Sequence, residues 1–477
     1  MNKDLKIIFI LAFLLTTTLY CLTSYNSLGY DDEFFNVKLI EQTNSYKEIN
    51  TLINNTDVHP AGMYLINKFL YNIIPNYSII RAISGFFAAI SLYFVWFSFY
   101  KSQTNKFILT FSFLSLCVNP TLLLWCTGLR WYTYYVPLIC LLCILINKAQ
   151  TKTYNVWPVF FIISLLMLYI NYISFIICPI VFVCLIFIRK DYLKLEWKKI
   201  CVFTILFFIL ASYQIYIFST VHINNAGSQV NFLFNAFVTG GQNILCGQAV
   251  MPISAYGISL ILAGLILFFI FLKNFKKCLT PLNTIFLIIY IGIMATGLGG
   301  KIRNFVILGA LQGLFLTSVY EHIKVKMLQK AVLLLYAFGT IGGIFNVYLH
   351  IDTTKGSWNT PYKEIMEYIK KQIPNIKLVV SNNPVLLYYT SKAGIKTIDL
   401  NDKDWLSDIT KEKGEILAIK SYRGSITTED YSKYIEIINN SKIVEKKKFG
   451  YDKFARFKKR FDSSYPDYYA EAFKLEL

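Results

Sequence analysis

Apolar runs of membrane-crossing length recur along the first 350 residues and then stop. A hydrocarbon core of about 30 Å needs roughly 20 apolar residues in a helix. Runs near that length predict about eleven helices, over 5–24, 78–100, 107–125, 132–147, 156–170, 172–188, 200–220, 253–272, 281–297, 304–321 and 331–349. The pair at 156–170 and 172–188 is short, which leaves merging or re-entry open. Lys3 and Lys6 ahead of the first run would also suit a signal peptide. No A-x-A site follows it, and Tyr20 before Cys21 suits lipoprotein cleavage poorly, so an uncleaved anchor is the preferred reading.

Two other patterns stand beside the long runs. In the first loop, residues 25–77, the stretch DVHPAGMYLINKFLY has apolar Met63, Leu65, Ile66, Phe69, Leu70 and Ile73, which predicts an amphipathic helix lying in the membrane interface. From Ile351 onward the elements become short and alternating. Thr360 and Pro361 open a helix, IKLVVS is a strand, a helix spans 384–393, and TIDL and EILAIKSY are strands. A helix at 429–439 and a terminal hairpin at 441–458 follow. The expected fold class is a polytopic α-helical membrane protein over 1–350 with a C-terminal α/β soluble domain over 351–477, long enough for its own core.

Composition agrees with that division, because 55% hydrophobic and 16% charged residues is an apolar excess that a soluble chain of this length could not hide. Residues 1–350 hold 24 Lys/Arg against 10 Asp/Glu, so most of the net +19 lies between apolar segments. Nucleic-acid binding explains that poorly, and loop orientation explains it well. When loops are assigned alternately to two sides, seventeen cations fall on one side. Only Lys38, Lys47, Lys68, Arg81, Arg130, Lys301 and Arg303 fall on the other. The expectation is a cytoplasmic N-terminus, an odd span count and an extracytoplasmic tail, as in a bacterial inner or plasma membrane. All ten cysteines lie at or before Cys278, mostly in apolar runs, and no disulfide framework or CxxC metal site is visible.

Acids are scarcer and more informative. Outside the tail, every acid expected on the outer face lies in the first outer loop, as Asp31, Asp32, Glu33, Glu41, Glu48 and Asp57. The trio in GYDDEFFN suits a solvated helix N-terminus, but Phe34 and Phe35 follow it and can hold the segment against the membrane. Arg81 opens the second span, Arg130 stands in CTGLRWYTYY, and Lys301 and Arg303 stand in GLGGKIRNF. Arg81 reads equally well as a snorkelling anchor. Arg130 and Arg303 lie close to membrane depth, where an ionisable group is costly and suspected of function. Arginine can grip a phosphate with two parallel hydrogen bonds. A carboxylate cluster and phosphate-competent cations on one face suit glycosyl transfer from a lipid phosphate, with a carboxylate as general base and cations on the leaving group.

With these residues in order, the chain resembles the GT-C class of membrane glycosyltransferases, particularly the bacterial branch similar to protein O-mannosyltransferases and aminoarabinose transferases. The matching features are the acidic pair Asp32-Glu33 after the first span, His59-Pro60 entering the interfacial helix, Arg81 to Ser84 as R-x-x-S, and Arg130 with Tyr132. The resemblance covers about residues 1–350 and implies a polyprenyl-phosphate-linked sugar donor, a membrane-embedded site and catalysis by a first-loop acid. Carried over, it makes Asp32 the leading base, with Glu33 assisting it or binding a metal and Asp31 as a competing register. Asp57, His59, Arg81, Arg130, Tyr132, Lys301 and Arg303 are the candidate substrate-binding residues. HPAG replaces the more usual HPP, and no acid accompanies Arg130, which leaves the acceptor type and any two-carboxylate arrangement open.

The expected partners are that donor, a lipid-linked glycan or envelope-polymer acceptor, and membrane lipids. No cofactor is required, although Asp32, Glu33, Asp57 and His59 leave a divalent metal open. Asn224, Asn225 and Gln229, in the loop that begins at His222, are candidates for sugar hydroxyls, with a merely solvated loop the simpler reading. The tail has no GxGxxG or P-loop, and its basic KKKFGYDKFARFKKR is more simply a solvated strand face than an anion site. Two other classes remain alternatives, a transporter or flippase and an O-antigen-type polymerase acting on a lipid-linked oligosaccharide. The nearly charge-free spans count against the first. The early acids and the large tail count against the second.

Overall fold

The computed structural model describes residues 3–26, 31–56, 59–149, 155–222, 250–251, 254–295, 302–349, 362–372, 375–400, 402–411, 414–421, 428–451, 455–460 and 467–476. These fall into two compact units, Met1–Ser27 with Phe35–Tyr348, and Leu28–Phe34 with Leu349–Leu477.

In the first unit, α1 (Lys3–Asn26) leads into three helices where one interfacial helix was expected: α2 (Asp31–Gln42), α3 (Tyr46–Thr56) and α4 (Gly62–Ile73). Then follow α5 (Tyr77–Tyr100), α6 (Lys106–Leu116), α7 (Pro120–Trp125), α8 (Trp131–Lys148), α9 (Val156–Ile170), α10 (Ser174–Ile188) and α11 (Leu193–Ile217). Helices Ala255–Lys273, Pro281–Ala295, Gly309–Tyr320 and Lys326–Tyr348 complete the unit's long elements. Among the described residues, seven helical segments are long and apolar enough to cross a bilayer: Leu5–Tyr25, Tyr77–Tyr100, Lys106–Trp125, Trp131–Lys148, Lys190–Thr220, Ala255–Lys273 and Lys326–Tyr348. Four more apolar helices are shorter, Val156–Ile170, Ser174–Ile188, Pro281–Ala295 and Phe305–Tyr320.

Local chemistry sets the breaks. The Asn76 side chain caps α5 by accepting from the Ser78 and Ile79 amides at 3.0 and 3.3 Å. Asn119 caps α7 in the same way and Pro120 supplies its first residue, so the span expected over 107–125 is present as Lys106–Trp125 but is built from two helices. Between α9 and α10 the Asn171 side chain accepts from the Ile173 amide at 2.9 Å, which keeps that short pair separate. At the far end of α10, Arg189 is 1% exposed. Its guanidinium pairs with Glu196, donates to the Ala149 carbonyl at 3.1 Å and lies 4.5 Å from the Tyr192 ring centre. Trp157 adds an indole hydrogen bond to Glu196 at 2.9 Å.

In the second unit, five strands run in the order β2-β1-β3-β5-β4: β1 (Leu378–Ser381), β2 (Lys396–Asp399), β3 (Glu415–Ser421), β4 (Lys442–Tyr451) and β5 (Tyr468–Glu476). The first three are parallel, and β5 is antiparallel to both β3 and β4. Side chains alternate between faces, so Val379, Leu417 and Ile419 pack under helices Tyr362–Gln372 and Pro384–Lys392. Leu378, Val380 and Ile416 pack on the other face with Trp405, Ile409, Tyr434 and Ile438. The expected hairpin over 441–458 is replaced by pairing of β4 with β5, whose apolar alternation in YYAEAFKLE buries seven consecutive residues. Strand β4 lies at the sheet edge, exposed, lysine-rich and irregular between Ile443 and Glu445, which are the usual protections of an edge strand.

Glycine permits a close approach between helices in the first unit. A Cβ on Gly313 would lie 2.8 Å from the Ser115 carbonyl and 2.7 Å from Leu116 Cδ2, while Ser115 Oγ reaches Thr317 Oγ1 at 3.1 Å across the same seam. Replacing Gly313 by Leu is expected to lower stability by about 1–3 kcal/mol through overpacking. Thermal unfolding of purified protein in detergent reads this as a lower Tm, and an unchanged Tm would mean that the seam opens freely.

Candidate functional site

In the first unit, α2 from Phe35 onward packs with α4, α5 and the turn before α8. The Asn36 amide on α2 donates to the Leu129 carbonyl at 2.6 Å, and Val37 packs with Ile80 and Leu129 in one apolar cluster. Tyr77 at the start of α5 donates to Glu41 at 3.2 Å. Lys68 on α4 donates to the Ile40 and Thr43 carbonyls at 2.7 and 2.8 Å, satisfying acceptors that a helix C-terminus leaves open. Phe35 stands edge-on to Tyr64 of α4. The second and third turns of α2 are therefore held on three sides by hydrogen bonds and packing.

Two candidate arginines adjoin the residues that hold α2. Arg81 follows Ile80 and Arg130 follows Leu129, and both side chains are buried, at 8% and 6% exposure. Arg130 is also the residue that precedes the first turn of α8. Next to it, Trp131 and Tyr132 are buried, and Tyr132 packs against Trp125 and Trp131 with ring centres 4.9 and 4.5 Å apart. His59 is half-buried, 5.8 Å from the Trp131 ring centre, with Nδ1 3.2 Å from the Asn171 amide nitrogen. Ser84, the last residue of R-x-x-S, meets the Tyr134 hydroxyl at 3.2 Å, and the same hydroxyl bonds Asn67 of α4. The HP and R-x-x-S motifs are thus tied through hydrogen bonds and rings to the start of α8 or its adjoining turn.

Glu33 is buried at 1% exposure and sits three and four residues ahead of Asn36 and Val37, so helical spacing gives all three one face of α2. Asp31 and Asp32 open the same helix, but their side chains lie outside the described residues, as does that of Arg303, whose backbone belongs to the 3-10 helix Ile302–Leu308. Asp57 and Lys301 lie wholly outside them, as do Asn224, Asn225 and Gln229. Among the described residues no group of three His, Cys, Asp or Glu side chains is placed to hold a metal ion. Asn36, Asn67, Tyr134 and Asn171 were not anticipated from the sequence. Only the i to i+3 spacing of Glu33 and Asn36 could have marked one of them.

No family model and no curated protein matches the chain. Among solved structures, the crystal structure of ArnT from Cupriavidus metallidurans bound to undecaprenyl phosphate is similar, with 10% identity, coverage of 99% of this chain and 98% of that one, and a TM-score of 0.50. The chain has a GT-C-like fold. With seven long apolar helical segments among the described residues, it is an integral membrane protein. At this identity the likeness speaks to fold, so within the GT-C-like frame the chemistry has to be argued from the residues themselves.

The seat of α2 gives a direct test. Asn36→Leu removes the donor to the Leu129 carbonyl and is expected to cost about 1–3 kcal/mol as a lower Tm. An unchanged Tm would mean that Val37 packing alone holds the helix.

Proposed function

We propose that the chain is a glycosyltransferase that moves one sugar from a polyprenyl-phosphate-linked donor to an extracytoplasmic acceptor, a lipid-linked glycan or a cell-envelope polymer. The observation that carries this reading is the seating of α2. The helix that opens with the three acids is bonded and packed, from Asn36 onward, against residues adjoining the buried Arg81 and Arg130. A guanidinium can hold a lipid phosphate by charge and by paired hydrogen bonds, which suits Arg81 and Arg130 to the phosphate of the donor. The similar ArnT structure contains undecaprenyl phosphate, which supports the same class of donor here.

In the reaction we infer, an acceptor hydroxyl attacks the anomeric carbon. The new bond forms from the acceptor oxygen to that carbon as the bond from the carbon to the phosphate oxygen breaks. The hydroxyl proton passes to a carboxylate of the first loop, with Asp32 as base and Glu33 assisting it, or Asp31 in the competing register. The electron pair of the broken bond stays on the departing polyprenyl phosphate, whose charge Arg81, Arg130, Lys301 and Arg303 stabilise. His59, Asp57 and Tyr132 orient the sugar or the acceptor. The four shorter apolar helices are counted with the seven long ones as eleven spans, which agrees with the lysine and arginine distribution and with a cytoplasmic N-terminus and an outer C-terminal domain.

Asp32→Asn is expected to lower transfer by about 100- to 10,000-fold, the usual worth of a general base, while folding and donor affinity are retained. Full activity in that variant, with Asp31 intact, would overturn the assignment. Arg130→Ala and Arg303→Ala are expected instead to weaken binding of a polyprenyl-phosphate sugar, measured by titration of purified protein. Unchanged affinity in both would remove the phosphate site.

A further inference from the structure

The division into compact units groups Phe34 and the acids before it, Asp31, Asp32 and Glu33, with residues 349–477. Phe34 accounts for this. Its ring lies edge-on to Tyr388, with centres 5.2 Å apart and planes at 70°, and is tilted against Tyr389 at 6.3 Å. Tyr388 and Tyr389 are themselves edge-to-face at 5.6 Å, so the three rings form one cluster. With Met366 and Ile395, Phe34 and Tyr389 pack on the core that covers one face of the sheet.

The first turn of a helix has unsatisfied amides and frays readily, and here that turn carries the acids. Asn36 and Val37 lie in the turn that follows it.

We propose that the C-terminal α/β unit positions the acidic segment for transfer, with Phe34 as the positioning residue seated on Tyr388 and Tyr389. The proposal rests on the glycosyltransferase reading for its catalytic consequence. Phe34 touches neither donor nor acceptor in this role. It holds the backbone of the neighbouring acids, and displacement of a catalytic group by about 1 Å is enough to cost on the order of 100-fold in rate.

The test uses the full chain in lipid nanodiscs. Hydrogen–deuterium exchange is followed over residues 28–34 in the wild type, Phe34→Ala, Tyr389→Ala and the conservative Phe34→Tyr, and transfer is measured beside it. Faster exchange in both alanine variants, with kcat down about 10- to 100-fold, donor affinity unchanged and recovery in Phe34→Tyr, is the expected result. Exchange unchanged in both alanine variants would overturn the docking. Faster exchange with unchanged kcat would overturn the positioning role. Exchange is read without substrate, so failure of the docking is distinguishable from failure of the glycosyltransferase reading, which Asp32→Asn tests. Tyr389→Ala approaches the cluster from its other side and keeps the test decisive should Phe34→Ala fail to fold.

Discussion

A charge removed from water must find partners or be avoided, and that penalty organises this chain from end to end. Its effect is plainest where a charge is buried. Arg189 has a carboxylate, a backbone carbonyl and an aromatic face around its guanidinium, and the carboxylate is shared with the Trp157 indole. Elsewhere the penalty works by exclusion, since no Asp or Glu occurs between Asp57 and Asp191 or between Glu196 and Glu321. Against that background Arg81 and Arg130 are buried beside the residues that seat α2, and guanidinium groups suit the phosphate of the proposed donor.

Helix α2 is where fold and chemistry meet. Its sequence begins with three acids and continues into Phe34, Phe35, Asn36 and Val37, each with a different task. Asn36 and Val37 fasten it to the turn before α8 and to α5, and Lys68 closes its far end. A short helix in an interface has little stability of its own, so these tertiary contacts hold the turns that follow its acidic first turn. A general base needs that kind of fixed presentation, because its contribution depends on reach as well as on proton affinity.

Membrane helices were legible in the sequence because length and apolarity are read directly, and α5 over Tyr77–Tyr100 falls where the run over 78–100 stands. Helix α3 was not legible as a helix, and α2 was legible only as a helix N-terminus at its acids. In YKEINTLINNT, Ile49 and Ile53 are fully buried, but with the exposed Leu52 they make only one turn of apolar pattern among polar neighbours, too short to stand out. Strand β5 was missed for a different reason, since its partner β4 lies beyond a long connection and no turn signal links them. For the site, rare residue types stood out, namely the acids, Arg81, Arg130 and His59. The groups that seat and link them are ordinary asparagines and a tyrosine, whose partners lie 93 residues away for Asn36, 112 for Asn171 and 67 for Tyr134 with Asn67. Separations of that size leave no local pattern to read.

The most direct measurement is the fate of a labelled sugar. Purified full-length protein in sealed vesicles is given a polyprenyl-phosphate sugar radiolabelled in the sugar, together with an envelope extract as acceptor. The expected result is label in a glycan or polymer with stoichiometric release of polyprenyl phosphate. Label that stays on the lipid while crossing from one leaflet to the other would contradict the proposed transfer and establish translocation in its place.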